Sequence, residues 1–174
     1  MDEDMVRLVR PDERFRGSFL EALAEFQAEG RYLEPAYDTV AADFAGYLRQ
    51  LDDAVTGHGL PEGFVPYSTF WLVEGDQYIG RLSIRHELNE WLRTIGGHIG
   101  YGIRSSRRRE GHGMRQLALG LVEARALGFE RVLLTCDADN IGSRKIIEGN
   151  GGVLENEVMD PATGKAKLRF WIDL

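Results

Sequence analysis

The run Tyr101-Gly102-Ile103-Arg104-Ser105-Ser106-Arg107-Arg108-Arg109-Glu110-Gly111-His112-Gly113-Met114 holds residue types that bind phosphate. An apolar, strand-like stretch leads into it and a helical pattern leads out. The first N–H groups of a helix have no intrahelical partner, and the helix dipole adds partial positive charge there. Together they form an anion site, and glycine lets an anion approach the backbone closely. Gly111 and Gly113 stand where that approach would occur. Arg107, Arg108 and Arg109 add three positive charges to a chain whose net charge is −7. By itself the run also fits a turn with a solvated arginine face. A P-loop is excluded, because no Gly-x-x-x-x-Gly-Lys-Ser/Thr string occurs. A Rossmann fingerprint needs a third spaced glycine, which Gly111-His112-Gly113 lacks.

The elements that must position this loop are legible in outline. Met5 to Arg10 reads as a first strand. Pro11-Asp12 starts a helix whose apolar stripe is Phe15, Phe19, Leu23 and Phe26, and Gly30 ends it. A second helix starts near Thr39, with Val40, Phe44, Tyr47, Leu48, Leu51 and Val55 on one side. Gly57 to Pro66 is a loop. Ser68 to Val73 and Tyr78 to Arg85 are strands joined by a Gly75-Asp76 hairpin turn. Ile95 to Ile103 is a third strand in this group. A helix from about Gly113 to Leu127 follows the arginine loop. Arg131 to Cys136 reads as a buried strand, Asn140 to Asn150 as a short helix, and 153–158 and 167–172 as two final strands. Alternating helices and strands in the second half imply a mixed sheet with helices on its faces.

The 174 residues suit a single domain, and no linker divides them. The acidic charge excludes a chain-wide nucleic-acid surface. A lone cysteine, Cys136, excludes an internal disulfide framework and fits a reducing compartment. The start, with Asp2, Glu3 and Asp4, is unlike a signal peptide, and no stretch is apolar enough to span a membrane. A cytoplasmic protein is expected.

Arg108-Arg109-Glu110-Gly111-His112-Gly113 resembles the Arg/Gln-x-x-Gly-x-Gly/Ala signature of the GNAT superfamily of acyltransferases. It follows the strand residues Gly100-Tyr101-Gly102-Ile103 and opens a helix. Downstream, Asn140, Ser143 and Gly151-Gly152 are similar to the family's Asn-x-x-Ser/Ala … Gly segment. The resemblance spans nearly the whole chain and is strongest from Gly96 to Glu155. It implies one GNAT-like domain over 1–174, of the α/β (α+β) class. A mixed, mostly antiparallel central sheet would carry helices on both faces. It further implies acetyl-CoA as donor, no metal, and a small-molecule or peptide amine as acceptor. Homodimers are frequent in such proteins.

By the same resemblance, the backbone of Arg108, Arg109, Glu110, Gly111, His112, Gly113 and Met114 would hold the coenzyme's pyrophosphate. Ile103 would offer backbone hydrogen bonds to the coenzyme arm and the thioester carbonyl. Asn140 and Ser143 would lie near its thiol end. The helix pair and the Gly57–Pro66 loop would wall the acceptor site, where Trp91 is a better lining candidate than Trp71 or Trp171. The acid–base pair departs from the family pattern. Gly97 stands where many members have a base, and Ile147 where many have a tyrosine acid. His98, His86, Glu87 and Glu90 remain as candidates, with Glu87 and His98 put forward for catalysis beside Ile103. Two other readings compete with direct acetyl transfer to an amine. One is an acyl-CoA sensor without turnover. The other is a plain nucleotide-binding module.

Overall fold

The structure, a computed structural model, describes residues 5–174, so the acidic start at Asp2 to Asp4 lies outside the described residues. The chain runs β1 (Arg7–Val9), α1 (Arg16–Ala28), α2 (Tyr37–Ala42), α3 (Phe44–Thr56), β2 (Tyr67–Glu74) and β3 (Gln77–Arg85). It continues β4 (Ile99–Ile103), α4 (His112–Ala126), β5 (Arg131–Asp137), α5 (Ile141–Gly149), β6 (Val153–Met159) and β7 (Ala166–Asp173). This is the strand order that the sequence implied. Two details differ. The expected second helix is two helices, because Asp43 breaks the run and caps α3 by accepting from the Gly46 N–H at 2.9 Å. The expected strand from Ile95 begins only at Ile99, because Leu92–Gly96 forms a π-turn that Gly97 ends at φ 68°.

The strands form two antiparallel sheets, ordered β1-β2-β3-β4 and β5-β7-β6. Helix α4 connects β4 to β5, the kind of crossover that lets neighbouring strands run in the same sense. Helices cover both faces, and strand alternation divides the core accordingly. Trp71 and Val73 face α1 to α3, where Phe19 stacks on Trp71 at 4.5 Å between ring centroids. Phe70, Leu82 and Ile84 face the other way, against Leu117 of α4 and Ile147 of α5. Close packing on that side requires small residues. A Cβ on Gly113 would lie 2.6 Å from the Ile146 side chain.

One polar knot ties the two halves together. The Glu25 carboxylate on α1 accepts from the buried Arg104 guanidinium, with Nε at 3.0 Å. It also accepts from the Ser106 N–H at 3.1 Å and the Ser106 hydroxyl at 2.9 Å. Partial burial pushes the Glu25 pKa up, but these bonds outweigh it and lower the value to about 2. A depressed carboxyl contributes stability above its unfolded pKa and loses it as pH falls toward the folded one. Glu25→Gln should therefore lower stability by about 1–3 kcal/mol at pH 7, read by urea unfolding. The gap to the unmodified chain should shrink as pH falls from 4.5 toward about 2.

Candidate active site

The site begins where the two sheets meet. The His98 N–H donates to the Leu133 carbonyl at 2.7 Å, and the Leu133 N–H returns a bond to His98 Nδ1 at 2.8 Å. A Cβ on Gly97 would lie 2.7 Å from the same Leu133 carbonyl, so only glycine allows this approach. No β4–β5 ladder follows among the described residues. The strands are thus pinned at one end and free to splay toward Ile103 and Asp137. Backbone groups on the facing edges are left available to a bound chain.

Across the splay, the Tyr101 hydroxyl lies 2.7 Å from Ser143 Oγ on α5. Burial pushes the Tyr101 pKa up to about 12, against the Ser143 hydrogen bond. The phenol is therefore a neutral donor at any physiological pH. Asn140 caps α5, its side-chain oxygen accepting from the Ser143 N–H at 3.1 Å. That bond fixes Ser143 opposite Tyr101. Cys136 is buried nearby, and burial, followed by Asp137, pushes its thiol pKa up.

At the open end stands the start of α4. Arg109 has φ 63° and Gly111 φ 81°, both left-handed. Gly111 is the N-cap, and no side chain caps this helix. Its first-turn N–H groups therefore face outward without a side-chain acceptor, as anion binding requires. The arginines divide their work in a way the sequence did not indicate. Arg107 pairs with Glu74 at 2.8 Å and Glu110 at 2.9 Å. Arg108 forms a two-pronged pair with Glu29 at 2.8 and 2.7 Å, and its Nε donates to the Ile103 carbonyl at 3.0 Å. Only Arg109 of the three has no carboxylate partner among the described residues. His112 is buried, with Nε2 2.9 Å from Glu110. Met114 packs against α5, its sulfur accepting from Asn150 at 3.1 Å.

On the opposite face of β3 and β4 lies a cleft of about 400 Å³. Its walls include Tyr32 and Glu34 after α1, Gly63 to Val65 of the long loop, and Trp91. Arg81, Ser83 and Arg85 reach it from β3. The residues paired with Arg81 and Ser83 on β4 are Gly102 and Gly100, which make room for the Tyr32, Arg31 and Arg85 side chains lying over them. The cleft and the β4–β5 splay thus share one strand.

The acid–base candidates fall elsewhere. His98 is buried, and burial with the charges of Arg85 and Arg93 pushes its pKa down to about 4. Its Nδ1 already accepts the Leu133 N–H, so the structure gives it a bridging position between sheets. His86 lies 2.8 Å from Ser68 Oγ and borders a surface hollow beside Phe129. Glu87 and Glu90 are exposed beyond the end of β3, outside the cleft lining. Ile147 is fully buried in the core. Sequence reading missed Tyr101 as a polar group, Glu34 as a wall carboxylate, and Arg81. The signal for Arg81 was present, since Arg81-x-Ser83-x-Arg85 places polar residues on one face of an otherwise apolar strand.

No group of three or more potential metal-ligating side chains occurs among the described residues, and no helix there is long and apolar enough to cross a membrane. No curated protein sequence matches the chain. Solved structures resemble it in fold. Mycobacterium smegmatis RimJ in complex with CoA-disulfide aligns with a TM-score of 0.70 at 20% identity, over 98% of this chain and 83% of that one. The microcin C7 self-immunity acetyltransferase MccE, in complex with acetyl-CoA and AMP, gives 0.70 at 14%, over 98% and 93%. The ribosomal-protein-S5-alanine acetyltransferase of Vibrio fischeri gives 0.70 at 18%, over 97% and 91%. The profile of the acetyltransferase (GNAT) domain matches residues 15–153, most of the chain. The chain belongs to the GNAT acetyltransferase family.

Proposed function

We propose that the chain transfers an acetyl group from acetyl-CoA to a primary amine by direct attack on the thioester. The observation that carries this reading is the splay of β4 from β5. It lies between an uncapped helix start and a cleft lined by Arg81, Ser83 and Arg85 of the adjoining β3. The α4 start, with Arg109, suits the coenzyme's pyrophosphate. The backbone near Ile103 suits its arm. Solved relatives hold CoA or acetyl-CoA, which supports the same donor here.

The residues divide the chemistry as follows. The cleft holds the amine beside β4, and proximity removes much of the entropic barrier. A backbone N–H of β4 stabilises the oxyanion that forms as nitrogen attacks. The new C–N bond replaces the C–S bond, and the proton leaving nitrogen balances the thiolate. Tyr101 and Ser143 donate hydrogen bonds to the developing thiolate. The raised pKa of Tyr101 keeps its proton in place, so it stabilises charge without being consumed. Glu34, on the cleft wall, orients the incoming ammonium. This scheme assigns no general base, so the free amine is the reactive form.

Three measurements test this scheme. Gly111→Glu places a carboxylate at the α4 start and should weaken acetyl-CoA binding at least about tenfold by calorimetry. Gly111→Asn, which tolerates the left-handed backbone, should keep it. Unchanged affinity in a folded Gly111→Glu chain would remove the coenzyme from this loop. Tyr101→Phe should lower kcat about 10- to 100-fold with acetyl-CoA affinity retained, and an unchanged kcat would rule out the thiolate role. The pH profile of kcat/KM should rise with unit slope to the acceptor's own pKa. That plateau lies near about pH 8 for a peptide N-terminus and above about pH 10 for a lysine side chain. A plateau near pH 6–7 with both acceptor types would instead reveal a protein base.

A further inference from the structure

The cleft is positively charged in a chain that is negative overall. Arg81 sits on its floor, half-buried, with neither a hydrogen bond nor an ion pair among the described residues. Its guanidinium lies 4.6 Å from the centre of the Tyr32 ring. Arg31 lies 5.3 Å from the centre of the same ring. Arg31 also reaches the floor, since a Cβ on Gly102 would lie 2.9 Å from its Nη2 and 2.7 Å from the Tyr32 hydroxyl. Arg85, by contrast, is occupied. It donates to the Gly96 and Gly97 carbonyls at 3.0 and 3.1 Å and so fastens the turn before β4. Glu34 is the one carboxylate in the lining.

A guanidinium removed from water without an acceptor is costly, and a second one beside it adds repulsion. Stacking on Tyr32 offsets part of that cost but leaves the N–H donors of Arg81 open to the cleft. An oxyanion entering there would satisfy Arg81, in the planar geometry guanidinium favours. Glu34 on the wall would suit the opposite charge, an ammonium. The cleft is therefore arranged for a ligand with both.

Resting on the acceptor-cleft reading above, we propose that the acceptor is an amine that also carries an oxyanion, with Arg81 as its specificity-determining contact. The anion is a carboxylate or a phosphate. Arg31, near the same Tyr32 ring, adds positive charge at the edge of the cleft. A peptide whose N-terminal amine is followed by an acidic side chain has this form. So does a free amino acid derivative bearing a phosphate.

The test uses binding of acetylated product analogues, which needs no turnover. One pair is N-acetyl-alanyl-glutamate amide against N-acetyl-alanyl-glutamine amide. The other is N-acetyl-O-phosphoserine amide against N-acetyl-serine amide. At least one anionic member should bind about tenfold or more tightly than its neutral partner. The pair with the larger ratio assigns carboxylate or phosphate. In Arg81→Gln the ratio should collapse toward one, while Arg81→Lys keeps most of it. Acetyl-CoA affinity should stay unchanged in both, which also shows that they are folded. Equal binding within both pairs, or a ratio that survives Arg81→Gln, overturns the proposal. Anion preference without CoA release from any amine would leave this inference standing and remove the acetyl-transfer reading. CoA release from amines without anion preference would do the reverse.

Discussion

Two hydrogen bonds between His98 and Leu133 set the geometry on which the site depends. They pin the two sheets together beside the start of β4, and no ladder between β4 and β5 follows among the described residues. A continuous sheet would consume every backbone donor along β4 with a neighbouring strand. The interrupted one leaves an edge inside the molecule, flanked by α4 and α5. The three conditions for this are local. Gly97 permits the close approach, His98 supplies a ring nitrogen as acceptor, and its buried ring keeps that nitrogen unprotonated. A histidine that looks catalytic by type is thus used as a clamp.

The arginine-rich loop shows a similar division. Charge near a phosphate site is expected to face the ligand, yet two of the three arginines pair with carboxylates, Arg107 with Glu74 and Glu110 and Arg108 with Glu29. Arg108 binds Glu29, the C-cap of α1, and the neighbouring Arg104 binds Glu25 within α1. Helix α1 also leads directly into Tyr32 and Glu34 on the cleft wall. The loop at the α4 start and the cleft wall are therefore fastened to one rigid element. Paired charges of this kind position backbone donors and add little net attraction for a ligand. Helix geometry, aided by Arg109, supplies the rest.

Within the family scheme, the site lacks the tyrosine that would follow Asn140, and the core occupies that place with Ile147. Tyr101 of β4 instead meets Ser143 near the start of α5. A hydroxyl reaches the splay from the other side, held by burial and by the cap that Asn140 places on α5. Strand alternation explains the layout: Tyr101 faces α5, while Gly100 and Gly102 face the other way, beneath Tyr32, Arg31 and Arg85.

Much of this was written locally. Periodicity set the strand order, and Gly111, Gly113 and the following apolar stripe marked the start of α4. Asn140 and Ser143 stood at a spacing that fits a helix cap. These features depend on neighbours in sequence, so the sequence by itself determined them. The break at Asp43 was hidden because the apolar stripe continues through it. What only the tertiary structure decided were pairings over long separations. Glu29 with Arg108, Tyr101 with Ser143, and Arg81 without a carboxylate each depend on which elements meet. Side-chain type gives a residue its charge and donors, but whether those are spent on the fold or left for a ligand is fixed only when the distant partner arrives.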